Sequence, residues 1–219
     1  MNSQYFEALF TAVMEDERYR GEMVAAKEEF EPVAGQMMES DESFDARVNA
    51  FHNWYILDRP MTGTGITPLR YYLESNADVL PEDAVLGYRD LYDNVHSVFE
   101  LLKLNGEVAY LRDLISRKKH VVEGARQLDS MERGDLFNTR VFAHGKKSYL
   151  TNYLLLHPAG VTRIIRAEAK KVRKAKEDSK PFLFRLLFFH SRWEQYTQMD
   201  EDKIYRFQAP AHEQPAVSG

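Results

Sequence analysis

The spacing of apolar residues changes near residue 97, and a chain that changes period there can be neither all-helical nor all-strand. Upstream, large apolar side chains recur every three or four residues, the period of one helix face. Tyr5, Phe6, Leu9, Phe10, Val13 and Met14 follow Ser3, a candidate N-cap. A second helical stretch from about Arg18 carries Tyr19, Met23, Ala26 and Phe30 and is expected to stop near Pro32, which lacks the N–H that a helix interior uses. A third runs from Asp41 or Ser43 through Phe44, Val48, Phe51 and Tyr55 and ends before Asp58-Arg59-Pro60. Thr67-Pro68 and Pro81-Glu82-Asp83 open two more, the second reaching about Asn94. Residues 1–95 therefore read as a helical bundle.

From Ser97 the period is two. Val98 to Leu104 and Val108 to Ile115 flank Asn105-Gly106, a dipeptide that tolerates the positive φ of a two-residue hairpin turn. His120 to Glu123, Phe137 to Ala143 and Ser148 to Leu156 read as further short strands, with His144-Gly145-Lys146 as the last turn. Five short antiparallel strands are expected to curl into a small barrel, because closure hides their edges. After His157-Pro158 the helical period returns through Val161, Ile164, Ile165, Ala169 and Val172. From Lys180-Pro181 it returns again, with Phe182, Leu186, Phe189, Trp193 and Tyr196 along one stripe. The fold class read here is α+β: a helical region over 1–95, a five-stranded antiparallel barrel-like module over 96–157, two C-terminal helices over 158–198, and a mostly mobile tail over 199–219.

With 44% apolar and 12% aromatic residues among 219, the chain has enough material for a core. It has no cysteine, which excludes disulfides, thiolate zinc sites and a cysteine nucleophile, and suits a reducing compartment. The first residues lack a basic stretch followed by an apolar one, so no secretory signal is expected and the cytoplasm is the expected location. The most apolar segment, Phe182 to Phe189, is interrupted by Arg185 and falls far short of the ~20 residues that cross a bilayer.

The net charge of -5 conceals a segregation. Residues 1–58 carry 4 basic and 13 acidic side chains, whereas residues 103–176 carry 17 basic and 7 acidic. Such polarity speaks of partners, or of the two halves holding each other.

Phe51-His52-Asn53-Trp54, Leu57-Asp58-Arg59-Pro60, Gly63-Thr64-Gly65, Thr67-Pro68-Leu69 and Tyr72-Leu73 stand in that order. Ser97-Val98-Phe99-Glu100, Arg112-Asp113-Leu114, Gly134-Asp135, Arg140 and His157-Pro158 follow them. Together, over residues 45–160, they resemble an uncharacterised family of bacterial cytosolic proteins. Some relatives of that family carry a cysteine-rich zinc motif of the type found at the tail of the Sec translocation motor ATPase. The resemblance implies a helical region joined to a small barrel and supplies no activity. The zinc motif does not carry over to a chain without cysteine.

Chemistry-bearing patterns are sparse. Thr62-Gly63-Thr64-Gly65 before a helix start, with Arg59 and Arg70 nearby, invites an anion-loop reading, but no strand precedes it and no lysine stands at the nucleotide-loop spacing. The histidines at 52, 96, 120, 144, 157, 190 and 212 show no helical metal-site spacing. Arg112-Asp113 reads as a strand-end ion pair. No catalytic, cofactor or metal residues are assigned, and the protein is expected not to be an enzyme. The strongest functional pattern is basic: Arg117, Lys118 and Lys119 in one turn, Lys146 and Lys147 in another, and Arg163, Arg166, Lys170, Lys171, Arg173 and Lys174 on a helix over 161–176. With Tyr110, Tyr149 or Tyr153 exposed for stacking, this surface would suit single-stranded nucleic acid. Otherwise it is a solvated face, or the internal partner of the acidic helices. The stripe Phe182, Leu186, Phe189, Trp193 and Tyr196 packs on the chain's own core or docks a partner.

The leading expectation is a non-enzymatic intracellular interaction or regulatory protein that binds another protein, or a second copy of itself, through charge-segregated surfaces. Nucleic-acid binding through the basic turns and helix is the alternative, and an enzyme with a site assembled only in three dimensions comes third. Neither a membrane surface nor a small-molecule substrate is expected.

Overall fold

The computed structural model describes residues 2–144 and 147–207. The helices are α1 (Asn2–Glu15), α2 (Glu17–Ala34), α3 (Phe44–Leu57), α4 (Pro68–Ser75), α5 (Glu82–Asp90), α6 (Thr162–Ala175), α7 (Lys180–Gln195) and α8 (Glu201–Ile204). Between α5 and α6 lie β1 (Asn94–Asn105), β2 (Val108–Asp113), β3 (Lys119–Val122), β4 (Leu136–His144) and β5 (Lys147–Leu156), with short 3-10 turns at 126–128 and 159–161. The α+β class holds.

Local chemistry sets the boundaries. The Asp16 carboxylate accepts from the Arg18 N–H at 2.9 Å and starts α2, and the Thr67 hydroxyl accepts from the Arg70 N–H at 3.4 Å and starts α4. Ser3 lies inside α1, which begins at Asn2. Pro32 does not end α2: it removes one donor in the last turn, and the helix runs on to Gly35, whose N–H reaches the Glu31 carbonyl at 2.9 Å. Gly35 has φ +90°, and a Cβ there would stand 2.8 Å from Cβ of Ser191, so glycine lets α2 close onto α7. In the first hairpin Asn105 pairs with Val108, which leaves Gly106 and Glu107 as the turn, with Gly106 at φ +57°. The turn therefore sits one residue beyond the Asn-Gly dipeptide.

The strands pair in the order β1-β2-β3-β5-β4, and β4 pairs back to β1, so the ladder closes into a barrel. It is not wholly antiparallel: β3 and β5 run parallel, joined at the single register pair Val122 and Ser148. The connection through the 126–128 turn and β4 brings the chain back in the same direction, which no hairpin does.

Three apolar clusters result. Phe99, Leu101, Leu111, Val122, Leu128, Phe137 and Val141 fill the barrel. Phe142, Tyr153 and Leu155 point outward from β4 and β5 into a core with Leu9, Phe30, Phe51 and Tyr55 of α1, α2 and α3. Val98, Leu114 and Leu136 meet α6, α7 and α8 in the third. Residues 199–207, expected in a mobile tail, include α8, and Ile204 and Tyr205 are buried there. Residues 208–219 lie outside the described residues. Among the described residues no helix is long and apolar enough to cross a membrane.

Buried polar groups tie the layers together. Arg140 is 1% exposed and donates to Oδ1 of Asn94 at 2.7 Å and to the Asp58 carboxylate at the end of α3, joining helices to barrel. Arg47 is buried, has no carboxylate in hydrogen-bond contact among the described residues, and donates to the carbonyls of Leu187, Ala34 and Gly35 at 3.1, 3.0 and 2.9 Å. Asp113 turns into the fold and accepts from Ser97 Oγ at 2.5 Å, from the Ile115 N–H at 2.8 Å and from Ser116 Oγ. Arg112 therefore does not pair with it; its partner is Glu100, at 3.4 Å.

Candidate nucleic-acid interface

Helices cover the outer faces of β4 and β5 and one end of β1, which among the described residues leaves the outer face of β2 and β3 open. Alternation decides what stands on it. Ala109, Leu111 and Asp113 point in, and Tyr110 and Arg112 point out. The register sets Lys103 opposite Tyr110, Tyr110 opposite Val121, and Arg112 opposite Lys119. Tyr110 is 38% exposed and Val121 49%, and the Lys103 ammonium lies 5.9 Å from the Tyr110 ring centroid. The result is a flat aromatic and aliphatic strip with cations around it.

Helix α6 extends this strip. Ile165 and Ala169 bury one side, and two arginines clamp the helix to the barrel. Arg166 donates to the Gly134 carbonyl at 2.8 Å and approaches Glu100 at 3.4 Å. Arg173 donates to the Leu114 carbonyl at 2.9 Å, three residues before the basic turn at Arg117. That contact brings the two basic stretches of the sequence together. Arg163, Lys170 and Lys174 on α6, Arg117 and Lys118 in the turn, and Lys119 at the start of β3 are exposed and have no side-chain partner among the described residues. Lys171 is exposed and paired with Glu168 at 2.5 Å. Arg117 takes φ +65°, a backbone conformation unusual for a residue with a Cβ, at the tip of this turn.

Among the described residues the ion pairs of α6 draw on Glu100 and Glu168, not on the acidic helices, and its unpaired cations are exposed. The other predicted basic turn is separate. Lys147 pairs with Glu123 at 2.7 Å at the far end of β3, which raises its pKa, and Lys146 lies outside the described residues. Of the three tyrosines considered for stacking, Tyr110 is exposed, Tyr149 is half-buried against Phe142, and Tyr153 belongs to the core. His120, beneath the strip, lies edge-on to Phe99 at 5.6 Å, and burial holds its pKa below the ordinary range.

The aromatic stripe is covered over its first three residues. Phe182 and Phe189 are 7% exposed and Leu186 0%, under Tyr205 and Phe207. Trp193 is half-buried and Tyr196 is exposed, with the Arg192 guanidinium 4.6 Å from its ring. In the 62–65 loop, the Thr62 N–H donates to Glu22 at 3.0 Å and Gly65 N–H to the Met61 carbonyl at 2.8 Å. Arg59 is held by Glu22 and Glu29 at 2.8 and 2.6 Å. A glutamate thus occupies the place an anion would take. Among the described residues no group of three or more His, Asp or Glu is arranged to hold a metal.

Sequence reasoning overlooked Lys103, Arg112 and Val121. Their signal was present in the period-two alternation, which places every second residue of a hairpin on one face once its register is known. Comparison with protein-family models, curated proteins and solved structures finds no significant match to this chain, so the surface has to be read from its own chemistry.

Proposed function

We propose that the protein binds single-stranded nucleic acid on the outer face of β2 and β3, with α6 as a cationic flank. The observation that carries this reading is the Arg173 contact, which joins the turn at 117–119 and helix α6 into one basic surface beside an exposed tyrosine. Cations along a groove hold phosphates by releasing counterions, and an aromatic face stacks a base of any identity. The strand order gives further support by fold analogy. Small five-stranded barrels of the oligonucleotide-binding type use the same face of strands 2 and 3. The narrow strip of Tyr110 and Val121 suits a splayed single strand rather than a duplex, whose bases are stacked inside.

A protein partner, the leading expectation from sequence, loses one of its two surfaces because the α7 stripe is largely covered. The basic surface remains open to an acidic protein, and the test separates the two. Fluorescence anisotropy of labelled single-stranded and duplex oligonucleotides across salt is expected to give salt-dependent binding that favours single strands. Lys118→Glu with Lys170→Glu and Lys174→Glu is expected to flatten the log–log salt slope by about 2, at roughly 0.7 per phosphate contact. Poly-glutamate that displaces the oligonucleotide at equal charge concentration would favour the protein reading. No binding at low salt sinks the nucleic-acid reading.

A further inference from the structure

A cleft of about 460 Å³ opens where the end of β5, the turn carrying Met131 and the last turns of α7 meet. Its size falls within the range of roughly 300–1,000 Å³ typical of small-molecule sites. Trp193, Met131 and Leu156 supply apolar wall, and its charged lining is Glu42, Asp135 and Glu194, with no lysine or arginine. This sign is opposite to that of the basic surface, and the inference stands independently of the nucleic-acid reading.

The floor is built. Oε1 of Glu194 accepts from the Ser43 N–H at 3.1 Å and Oε2 from Ser43 Oγ at 2.5 Å, which fixes the carboxylate at the start of α3. His190 is 3% exposed, and its Nε2 lies 3.0 Å from the Leu156 carbonyl. A carbonyl only accepts, so Nε2 carries the proton and Nδ1 a lone pair. That Nδ1 has no hydrogen-bond partner among the described residues and lies 3.7 Å from Oε2 of Glu194. Two acceptors face each other at the floor of an acidic cleft with no donor between them, an arrangement native interiors avoid unless something supplies the proton. Arg47 does not supply it: its terminal nitrogens bond the Leu187, Ala34 and Gly35 carbonyls, and its Nε has no hydrogen-bond partner among the described residues.

We propose that this cleft binds a small organic cation, a protonated amine with a flat apolar body, its ammonium on Glu194 beside His190 and its body against Trp193. An ammonium offers the missing N–H donors together with the charge that the three carboxylates favour, and an indole face attracts cations. A neutral or anionic ligand of the same shape lacks both.

The chain has two tryptophans, so Trp54→Phe leaves Trp193 as sole reporter. In that background, 2-phenylethylamine is expected to give a saturable fluorescence change that 2-phenylethanol and 3-phenylpropanoate do not. Glu194→Gln is expected to weaken the amine by about 10- to 100-fold, the effect of losing a charged hydrogen bond. Glu42→Lys changes the rim without touching Ser43 and is expected to weaken it about tenfold, which keeps the test standing if the Glu194 variant does not fold. Saturation-transfer NMR with the same three compounds on the wild type needs no substitution. The proposal is overturned by an amine that shows no saturable binding up to low millimolar, by an alcohol that binds as tightly, or by unchanged affinity in a folded Glu194→Gln or Glu42→Lys protein.

Discussion

One barrel presents two outer faces with opposite fates. Outward from β4 and β5 stand Phe142, Tyr153 and Leu155, and α1, α2 and α3 close over them. Outward from β2 and β3 stand Tyr110, Arg112 and Lys119, beside Lys103 of β1; Lys103, Tyr110 and Lys119 are exposed, and Arg112 is half-buried and paired with Glu100. Both faces come from strands with apolar residues on the inside, so the difference lies entirely in the outward set. Apolar outward residues draw helices because burial returns about 25 cal/mol per Å² of apolar surface. Charged outward residues repel them, since a buried unpaired ammonium is prohibitively costly. The segregated charge of the sequence is in this sense a map of which barrel face stays open.

The sharpest way to break the comparison is to remove a polar anchor on the covered side. Arg140→Ala leaves Asp58 and Asn94 without their partner at the joint between α3 and the barrel, and is expected to cost about 3–5 kcal/mol in urea denaturation, as removing one member of a buried pair does. Lys103→Ala on the bare face is expected to change stability by no more than about 0.5 kcal/mol. Equal effects would mean that the two faces do not differ as described.

Two tyrosines sharpen the contrast because each stands on one face. Tyr153→Ala removes a ring that is 1% exposed and is expected to destabilise the fold by about 3–5 kcal/mol, the range of large core truncations. Tyr110→Ala is expected to leave the urea midpoint nearly unchanged and to weaken single-strand binding by about 1–3 kcal/mol, the contribution of one stacked base. Anisotropy and denaturation on both variants separate the outcomes. A Tyr110 variant that binds as well as wild type removes the stacking role.

How much of this was legible in the sequence follows the range of the interactions. The helices, the hairpin and the period change near residue 97 are set by neighbours a few residues apart, and the α+β class could be read from them. The parallel β3–β5 seam could not, because it joins Val122 to Ser148 across an intervening strand and no local pattern records it. Pro32 marked the end of α2 to within two residues, because a proline in the last turn costs one donor and the helix stops at Ala34. Helix α8 was invisible: four residues have no periodicity, and Ile204 and Tyr205 are held by contacts with α7 rather than by propensity. For the basic surface, the residue types were legible and their convergence was not. It depends on Arg173 reaching the Leu114 carbonyl, a contact 59 positions apart. The Glu194–His190 cleft gave no sequence signal, since Ser43 and Glu194 meet across 151 positions.

The smallest effect, and the last test of the comparison, is acid sensitivity of the covered side. His157 and His190 are 2% and 3% exposed, and burial pushes both below the ordinary histidine range, His190 to about 4. His52, between Phe10 and Phe51, is likewise lowered to about 4 by burial. Between that value and the unfolded 6.5, the unfolded chain binds more protons than the folded one, so stability falls as pH drops through this window. Glu22 and Glu29, held low by Arg59, add the same sign only below about 4.5, and Glu194, raised by burial, opposes it. Each neutral buried histidine is expected to contribute up to about 1.4 kcal/mol per pH unit. His52→Phe is the cleanest probe, because the His52 ring packs tilted against Phe10 and Phe51 at 4.7 and 5.4 Å and phenylalanine keeps a ring there. Urea midpoints at pH 7.5 and pH 5.0 should lie closer together in this variant than in wild type. An unchanged gap would show that His52 reaches solvent freely, and with it that the face sealed by α1 and α3 is less closed than the bare face makes it look.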